Sequence, residues 1–380
     1  MHDLTIVIVA YNAEQTIERA VLSAVASGAY PILLVDDGSV DDTVYKAKAA
    51  GGEQIRVVKQ PANLGVGAAR NRAVHEVKTT YGMWLDADDE IMPDRPEAML
   101  KALLAGADIV YDSGILIDEP TGKVIKTLKI PEFMFEPGAD VRCFERNWYP
   151  LLHCGFLVSL ARAIGFDESY TCAEDYDFLL HAIIREARIV PLANAGYRYY
   201  HREGTISRNL EKTRGFVKQS LSKYGLSEFE DLLHLSELSV TEQLGILAGM
   251  ALYRQDYAAA YRYSQSITER DAPIVPYVMK AGLYADFIAA SALAAMSRWQ
   301  EAYDILWSVN QEVPAADLWN NLGVAAHHLG RSSEAAYAFQ EALQLMPDYV
   351  DAKRNAEAGI PVYWTTHPLR RQDSRNNYST

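Results

Sequence analysis

TIVIVAYNAEQTIERAV, residues 5–21, changes period halfway along. TIVIV is a β-branched apolar run with the character of a buried strand, whereas Ile17, Ala20 and Val21 fall at helical spacing. A strand must therefore hand over to a helix across Tyr11-Asn12. The alternation recurs in PILLVDD (31–37), a helical pattern over Asp42–Ala50, and IRVVKQ (55–60). Strand, helix, strand, helix, strand from Leu4 to about Val110 predicts a parallel sheet covered on both faces. Ligands of such sheets gather at the carboxyl ends of the strands. That rule singles out Tyr11 and Asn12, Asp36 and Asp37, Gln60–Gly67, and Asp86–Asp89.

The chain has 380 residues, 49% of them hydrophobic, enough for two domains with sizeable cores. Its formal net charge of −14 repels phosphate backbones, so nucleic acid is not expected as a partner. A phosphorylated small molecule still fits if carboxylates hold a divalent cation. The N-terminus lacks a basic, apolar leader and no long apolar run appears, so the expected location is cytoplasmic, with peripheral contact at the inner membrane face. Cys143, Cys154 and Cys172 show no Cys-x-x-Cys spacing and are expected as buried thiols.

From about Leu232 strand-like runs give way to Ala, Leu, Tyr, Gln and Glu at helical spacing. Trp319, Leu322, Gly323, Ala335, Phe339, Ala342 and Pro347 fall at the positions of a tetratricopeptide repeat. A shift of 33 residues carries Glu301-Ala302 onto Glu334-Ala335, Leu306 onto Phe339 and Pro314 onto Pro347, so an earlier copy is expected. A weaker third copy is read around Tyr253–Ser266. Single repeats cannot bury their apolar faces, so they must stack. The expected layout is a nucleotide-binding α/β domain over 1–210, a helical linker over 211–240, an all-α repeat domain over 241–360, and a flexible tail over 361–380.

Three segments carry the chemistry. WLDADDEI ends an apolar run in Asp86, Asp88 and Asp89. Carboxylates this close repel, and a hard cation such as Mg2+ or Mn2+ relieves them while keeping coordination sites for phosphates; a solvated acidic turn is the other reading. In ILLVDDGSVDDTV, Asp41 and Asp42 serve a helix start. Asp36 and Asp37 precede the turn, where a carboxylate accepts an N–H from a planar base and Tyr11 offers an aromatic face. In QPANLGVGAARNRAV, Asn63, Gly65 and Gly67 lead a helix bearing Arg70 and Arg72, whose forks suit a diphosphate.

Taken in order, AYN, VDDGSVDDT, NLGVGAARN, WLDADDE and FDESYTCAEDYDFLLHAI resemble the family 2 glycosyltransferases over about residues 3–210. The resemblance implies a GT-A fold and inverting, metal-dependent sugar transfer from a nucleotide-diphosphate donor, a UDP-sugar by preference. By that resemblance Tyr11 lines the base pocket and Asp37 reads the pyrimidine with Asp36 beside it. Asp88 is the metal carboxylate, Asp86 faces the ribose or a metal-bound water, Asp175 is the catalytic base and Glu174 its neighbour. His201 would complete the metal or diphosphate site, and Arg202 or Arg208 would close over phosphates within the loop GYRYYHREGTISRN. His153, in RNWYPLLHCGFLVS, is read as a core or acceptor-side residue without a metal role.

One carboxylate for the acceptor proton and another for the cation suit a single displacement. The acceptor stays open among a glycan, a lipid-linked intermediate and a protein, and the repeats suggest a protein partner or self-association. Two other readings are a catalytically inactive scaffold that presents the repeats, and a nucleotidyltransferase.

Overall fold

The computed structural model describes residues 2–150, 153–202, 210–357 and 363–368. Thr205, Ser207 and Arg208 lie outside the described residues. The chain divides into two compact units, Met1–Cys143 with Asn147–Lys223, and Phe144–Arg146 with Tyr224–Thr380. The division falls inside the 211–240 stretch, with a three-residue excursion at 144–146 that the sequence does not signal. No described helix is long and apolar enough to cross a membrane.

The first unit runs β1 (Leu4–Ala10), α1 (Ile17–Ala26), β2 (Ile32–Asp36), α2 (Thr43–Gly51), β3 (Ile55–Lys59), α3 (Val66–Glu76) and β4 (Tyr81–Asp86). It continues with β5 (Glu90–Ile91), α4 (Arg95–Leu104), β6 (Ile109–Asp118), β7 (Lys123–Leu128), β8 (Gly155–Leu157), α5 (Val158–Ile164), α6 (Glu174–Ile184), β9 (Ile189–His201) and α7 (Leu210–Ser222). The sheet order is β3-β2-β1-β4-β8-β6-β9-β5, with β7 on β6. β3, β2, β1 and β4 are parallel as read; β8 pairs antiparallel with β4 and β6, so the whole sheet is mixed.

Both faces of the parallel part are covered, which is why its strands read as unbroken apolar runs. Ile6, Ile8, Leu34 and Leu85 pack with Ile17, Ala20 and Val21 of α1, and on the other face Val7, Leu33 and Trp84 are also buried. The register sets Ala10 beside Asp36, Asp36 beside Lys59 and Val9 beside Asp86. Three strand ends thus open on one edge. Asn12 fixes the first two: its N–H donates to Ser39 Oγ at 2.9 Å and its Oδ1 accepts from Val40 N at 3.0 Å. Asn12 takes a left-handed φ of 47°, which Asn tolerates well.

Gly38 follows β2 with φ +76°, and a Cβ there would lie 2.5 Å from the Ala62 carbonyl carbon. Gly38→Ala should destabilise the unit by about 1–3 kcal/mol through forced left-handed backbone and a clash with the loop after β3. Urea unfolding measures this, and an unchanged midpoint would show that the loop yields freely.

The second unit contains α8 (Leu226–Leu235), α9 (Val240–Tyr253), α10 (Tyr257–Ser266), a β10 (Pro273–Ile274) and β11 (Met279–Lys280) hairpin, and α11 (Ala281–Ala295). Then follow α12 (Trp299–Glu312), α13 (Ala316–His328), α14 (Ser332–Leu345) and α15 (Val350–Glu357). α12 and α14 stand 33 residues apart at both ends, as the repeat spacing predicts. Gly323 sits mid-helix because a Cβ there would lie 2.5 Å from the Phe339 ring. The buried Glu145, from the excursion, accepts hydrogen bonds from the Tyr277 hydroxyl at 2.7 Å and the Tyr284 hydroxyl at 2.5 Å.

The expected flexible tail needs correction over its described part. Thr365 is 7% exposed, and Tyr363–Thr365 hydrogen-bond into the helices. The sequence reading missed this because the segment's partners are buried asparagines, which carry no hydrophobic period, rather than apolar side chains. Residues 369–380 lie outside the described residues.

Candidate active site

The site is built on the carboxyl edge of β1, β2 and β4, with α6 supplying a further acidic pair. Tyr11, 46% exposed, presents its ring beside this edge. Asp36 is fully buried; its Oδ1 accepts from Ser39 N at 3.3 Å, and Lys59 Nζ lies 3.8 Å from its Oδ2. Asp37 organises the next loop by accepting from Gln60 Nε2 at 2.7 Å, Leu64 N at 2.8 Å and Gly65 N at 2.9 Å. Asn63 Oδ1 also accepts from Gly65 N at 3.0 Å, and Gly65 takes φ +96° to open α3. A loop ordered in this way exposes backbone at a helix N-terminus, an arrangement suited to an anionic ligand.

Arg70 turns inward from α3. It is 5% exposed, with Nη1 2.9 Å from Glu174 Oε1 and Nη2 3.8 Å from Asp86 Oδ1. Its guanidinium also lies over the rings of Trp84 and Phe166. Burial works against its charge, but Glu174, Asp86 and Asp175 outweigh burial and raise its pKa. The donor-facing diphosphate role read from the sequence is not the one this geometry displays, since the fork faces protein carboxylates.

Glu174 and Asp175 open α6 directly after Ala173, a non-glycine residue at φ 63°. Such backbone strain persists where surrounding contacts enforce it and often marks functional sites. Glu174 is buried; burial lifts its carboxyl pKa, the Arg70 charge opposes this, and Asp175 adds to the rise. Asp175 is half-buried, and its Oδ1 accepts from Tyr176 N at 2.7 Å. Asp177, one helical step on, is a structural residue: buried and held at 2.8 Å by Lys223.

The three β4 carboxylates have separate surroundings. Asp86 Oδ2 lies 2.7 Å from His153 Nε2. Burial alone would raise the Asp86 pKa, yet His153 and Arg70 more than reverse it, to about 2. Asp89 accepts from the Tyr197 hydroxyl at 2.9 Å and Tyr200 N at 2.8 Å; burial, with Asp88 and Asp86, lifts its pKa to about 8. Asp88 is the most exposed of the three, at 43% of its side chain. Burial and then Asp86 raise its pKa, while Arg202, 3.9 Å away, pulls it back.

Asp86, Asp89 and His153 offer ligand atoms within 4.8 Å of one another, a grouping of metal-ligating type among the described residues to which neither Asp88 nor His201 belongs. All three of its members already hold protein partners. Burial first, and then the Asp86 charge, disfavour the ionised form of Asp88, and a divalent cation would offset both, so the site fits such an ion. His201 ends β9, its backbone carbonyl accepting from Glu119 N at 3.1 Å. Arg202 pairs with Glu119, which also takes Arg19 Nη1 at 3.0 Å. Arg19 donates to the Asp88 carbonyl and lies 3.6 Å from the Tyr200 ring centroid.

Several of these groups escape a reading of the sequence. His153 packs flat on Tyr197, with ring centroids 4.5 Å apart. Its backbone carbonyl is held by Arg95, which is fully buried and forks onto Asp112 with two 3.0 Å contacts. Arg19, Glu119, Arg95 and Asp112 belong to no motif; only the fold brings them here. Burial works against a proton on His153, but the Asp86 charge outweighs it and raises its pKa above the ordinary 6.5. The stabilisation from this pair is therefore complete below about pH 6.5 and lost as pH rises through the higher folded-state value. An NMR titration should place the His153 midpoint above that of a free imidazole, and His153→Gln should remove this pH dependence of stability.

Residues 5–158 match the profile of glycosyl transferase family 2, and residues 316–349 match a tetratricopeptide repeat. The succinoglycan biosynthesis protein ExoO of Rhizobium meliloti (strain 1021) is 31% identical over 223 residues, covering 55% of this chain and 63% of that protein. The chain thus aligns with less than two thirds of ExoO. ExoU of the same strain is 29% identical over 283 residues, covering 70% and 76% respectively. Among solved structures, S. aureus TarS 1-349 in complex with UDP-GlcNAc shares the fold at a TM-score of 0.51 and 17% identity, over 91% of this chain and 93% of that one. The chain therefore carries a family 2 glycosyltransferase domain, of GT-A fold, at residues 5–158 and a tetratricopeptide repeat at residues 316–349.

Proposed function

We propose that this chain transfers a sugar from a uridine-diphosphate donor to a hydroxyl of an acceptor glycan, by a single displacement that inverts the anomeric carbon. The observation that carries the reading is the Arg70 bridge, which ties the Glu174-Asp175 pair of α6 to Asp86 on the strand edge. A candidate base and a candidate donor edge are thereby joined through one side chain. The acceptor oxygen forms its bond to the anomeric carbon as the bond to the leaving phosphate oxygen breaks, and the acceptor proton passes to the Asp175 carboxylate. Tyr11 would face the base, with the buried Asp36 and Asp37 backing that edge and Asn63 and Gly65 shaping the loop beside it.

Asp88 and His201 are the residues we assign to a divalent cation, Mn2+ or Mg2+. When bound, that ion supplies Lewis-acid neutralisation of the leaving diphosphate. Arg202 and Arg19, already turned toward Asp88, would steady the same charge. A glycan acceptor is favoured by the likeness to two proteins named for succinoglycan biosynthesis, and the donor class by the UDP-GlcNAc complex of TarS.

The test is a panel of UDP-sugars with Mn2+, Mg2+ or chelator, read as thermal shift and as UDP release. A matched donor should raise the melting temperature only with metal, because binding to the folded state alone stabilises it. Asp88→Asn should lose the metal-dependent part while keeping the fold. Neither shift nor turnover with any donor would refute the assignment.

A further inference from the structure

β6 and β9 run parallel with Asp118 beside His201, so the residues that follow them, Glu119 and Arg202, leave the sheet side by side. The Glu119 N–H donates to the His201 carbonyl at 3.1 Å, which fixes where the Glu119 side chain starts. Its carboxylate does not fork onto one arginine. Oε1 takes Arg19 Nη1 at 3.0 Å and Oε2 takes Arg202 Nε, so one anion holds two guanidiniums, from α1 and from the end of β9. Both reach Asp88: Arg19 Nη2 donates to its carbonyl oxygen, and Arg202 Nη2 stands 3.9 Å from its Oδ2. The Tyr200 ring backs Arg19 at 3.6 Å, and its hydroxyl is tied to Glu90 Oε2 at 2.5 Å.

Two guanidiniums against one carboxylate leave this trio net positive, and its donors are not all engaged. Arg19 Nε and Arg202 Nη2 are buried without a hydrogen-bond partner among the described residues. Buried open donors are costly, and beside the carboxylate assigned to the cation they suit an anion rich in acceptors. A nucleoside diphosphate is such an anion. Its outer phosphate gains negative charge as the bond from its oxygen to the anomeric carbon breaks, and a monophosphate lacks that group. Guanidiniums already held in place also lose little side-chain freedom on binding it.

We propose that Glu119 is a positioning residue: it holds Arg19 and Arg202 where both donate to the outer phosphate, and so sets a preference for a nucleoside diphosphate over a monophosphate. The inference rests on the donor assignment above. Glu119 acts only through the two arginines, and the sign of its effect separates this role from plain charge. A carboxylate near a phosphate repels it, so acting through charge alone, Glu119→Gln would tighten diphosphate binding. Acting through position, the same change loosens binding, because a neutral amide is a weaker acceptor and lets both guanidiniums swing away.

The test is calorimetric titration of the full-length chain with UDP and with UMP, each with Mn2+. The native chain should prefer UDP. Glu119→Gln should weaken UDP by at least about 10-fold, the scale of lost charge-assisted hydrogen bonds, while UMP stays within a small factor. Arg19→Met should weaken UDP similarly, and the double variant should be little worse than either, since both changes undo one arrangement. Tighter or unchanged UDP binding by Glu119→Gln overturns the proposal, as do equal losses for UDP and UMP, the mark of general damage, or losses that simply add in the double variant. Should Glu119→Gln fail to fold, Glu119→Asp replaces it: the charge stays and only its reach shortens, so UDP must still weaken. A native chain that binds UDP no better than UMP overturns the donor assignment and this inference with it, whereas a native preference that survives Glu119→Gln overturns the inference alone.

Discussion

Asp175→Asn is expected to lower the rate of sugar transfer by about 10²–10⁴-fold, the usual worth of a positioned general base. The amide keeps the size of the carboxylate and can still accept from Tyr176 N, but it cannot take the acceptor proton. Donor affinity should stay within a small factor, because none of the groups assigned to the donor lies on α6. Glu174 is a poorer candidate for the proton: it is buried and its carboxylate is engaged by Arg70 at 2.9 Å. Single-turnover kinetics with saturating donor would separate chemistry from binding. A variant that turns over at near-native rate would move the base elsewhere and break the role given to the start of α6.

Arg95→Met should cost about 3–5 kcal/mol of stability, the range for removing one partner of a buried ion pair. Arg95 forks onto Asp112 with both residues essentially inaccessible, donates to the Trp84 carbonyl at 3.2 Å, and holds the His153 carbonyl. Burial already lifts the Asp112 pKa while Arg95 opposes it. Without the guanidinium that opposition ends, and Asp112 takes up a proton on folding. Its folded pKa, already raised in the native chain, then climbs further above the unfolded value near 3.9, so the variant should lose further stability as pH rises above about 4. Denaturant unfolding across pH measures both effects. Arg95→Met/Asp112→Leu should recover most of the loss, since well-packed apolar replacements of buried pairs are often neutral. A single variant within ~1 kcal/mol of native would show that water enters and screens Asp112.

The carboxyl edge of the sheet was legible because its signals are local. An apolar run that stops at Tyr11, at Asp36-Asp37 or at Asp86 marks a strand end whatever lies around it, and the register confirms that these ends share one edge. The repeat was legible for the same reason, α12 and α14 standing one 33-residue period apart. Arg70 was read with Arg72 as suited to a diphosphate because Gly-x-Gly followed by arginines suggests an anion site; two carboxylates, Asp86 and Glu174, the latter about 100 residues later in the chain, hold it inward. The 363–368 segment was read as loose because its partners are asparagines, which carry no hydrophobic period.

Hydrophobic periodicity, turn residues and the clustering of acids at strand ends are properties of neighbouring residues, and from them the sequence by itself determined a βα-alternating first half, a helical repeat and the line of candidate ligands. Only the tertiary structure decided which charge meets which. Asp86 pairs with His153, 67 residues on, Asp89 with Tyr197, and Glu174 with Arg70. Those pairings follow from strand order and from which side chains burial forces to find partners, and an ion's energy depends on distance and desolvation across the whole fold rather than on its place along the chain.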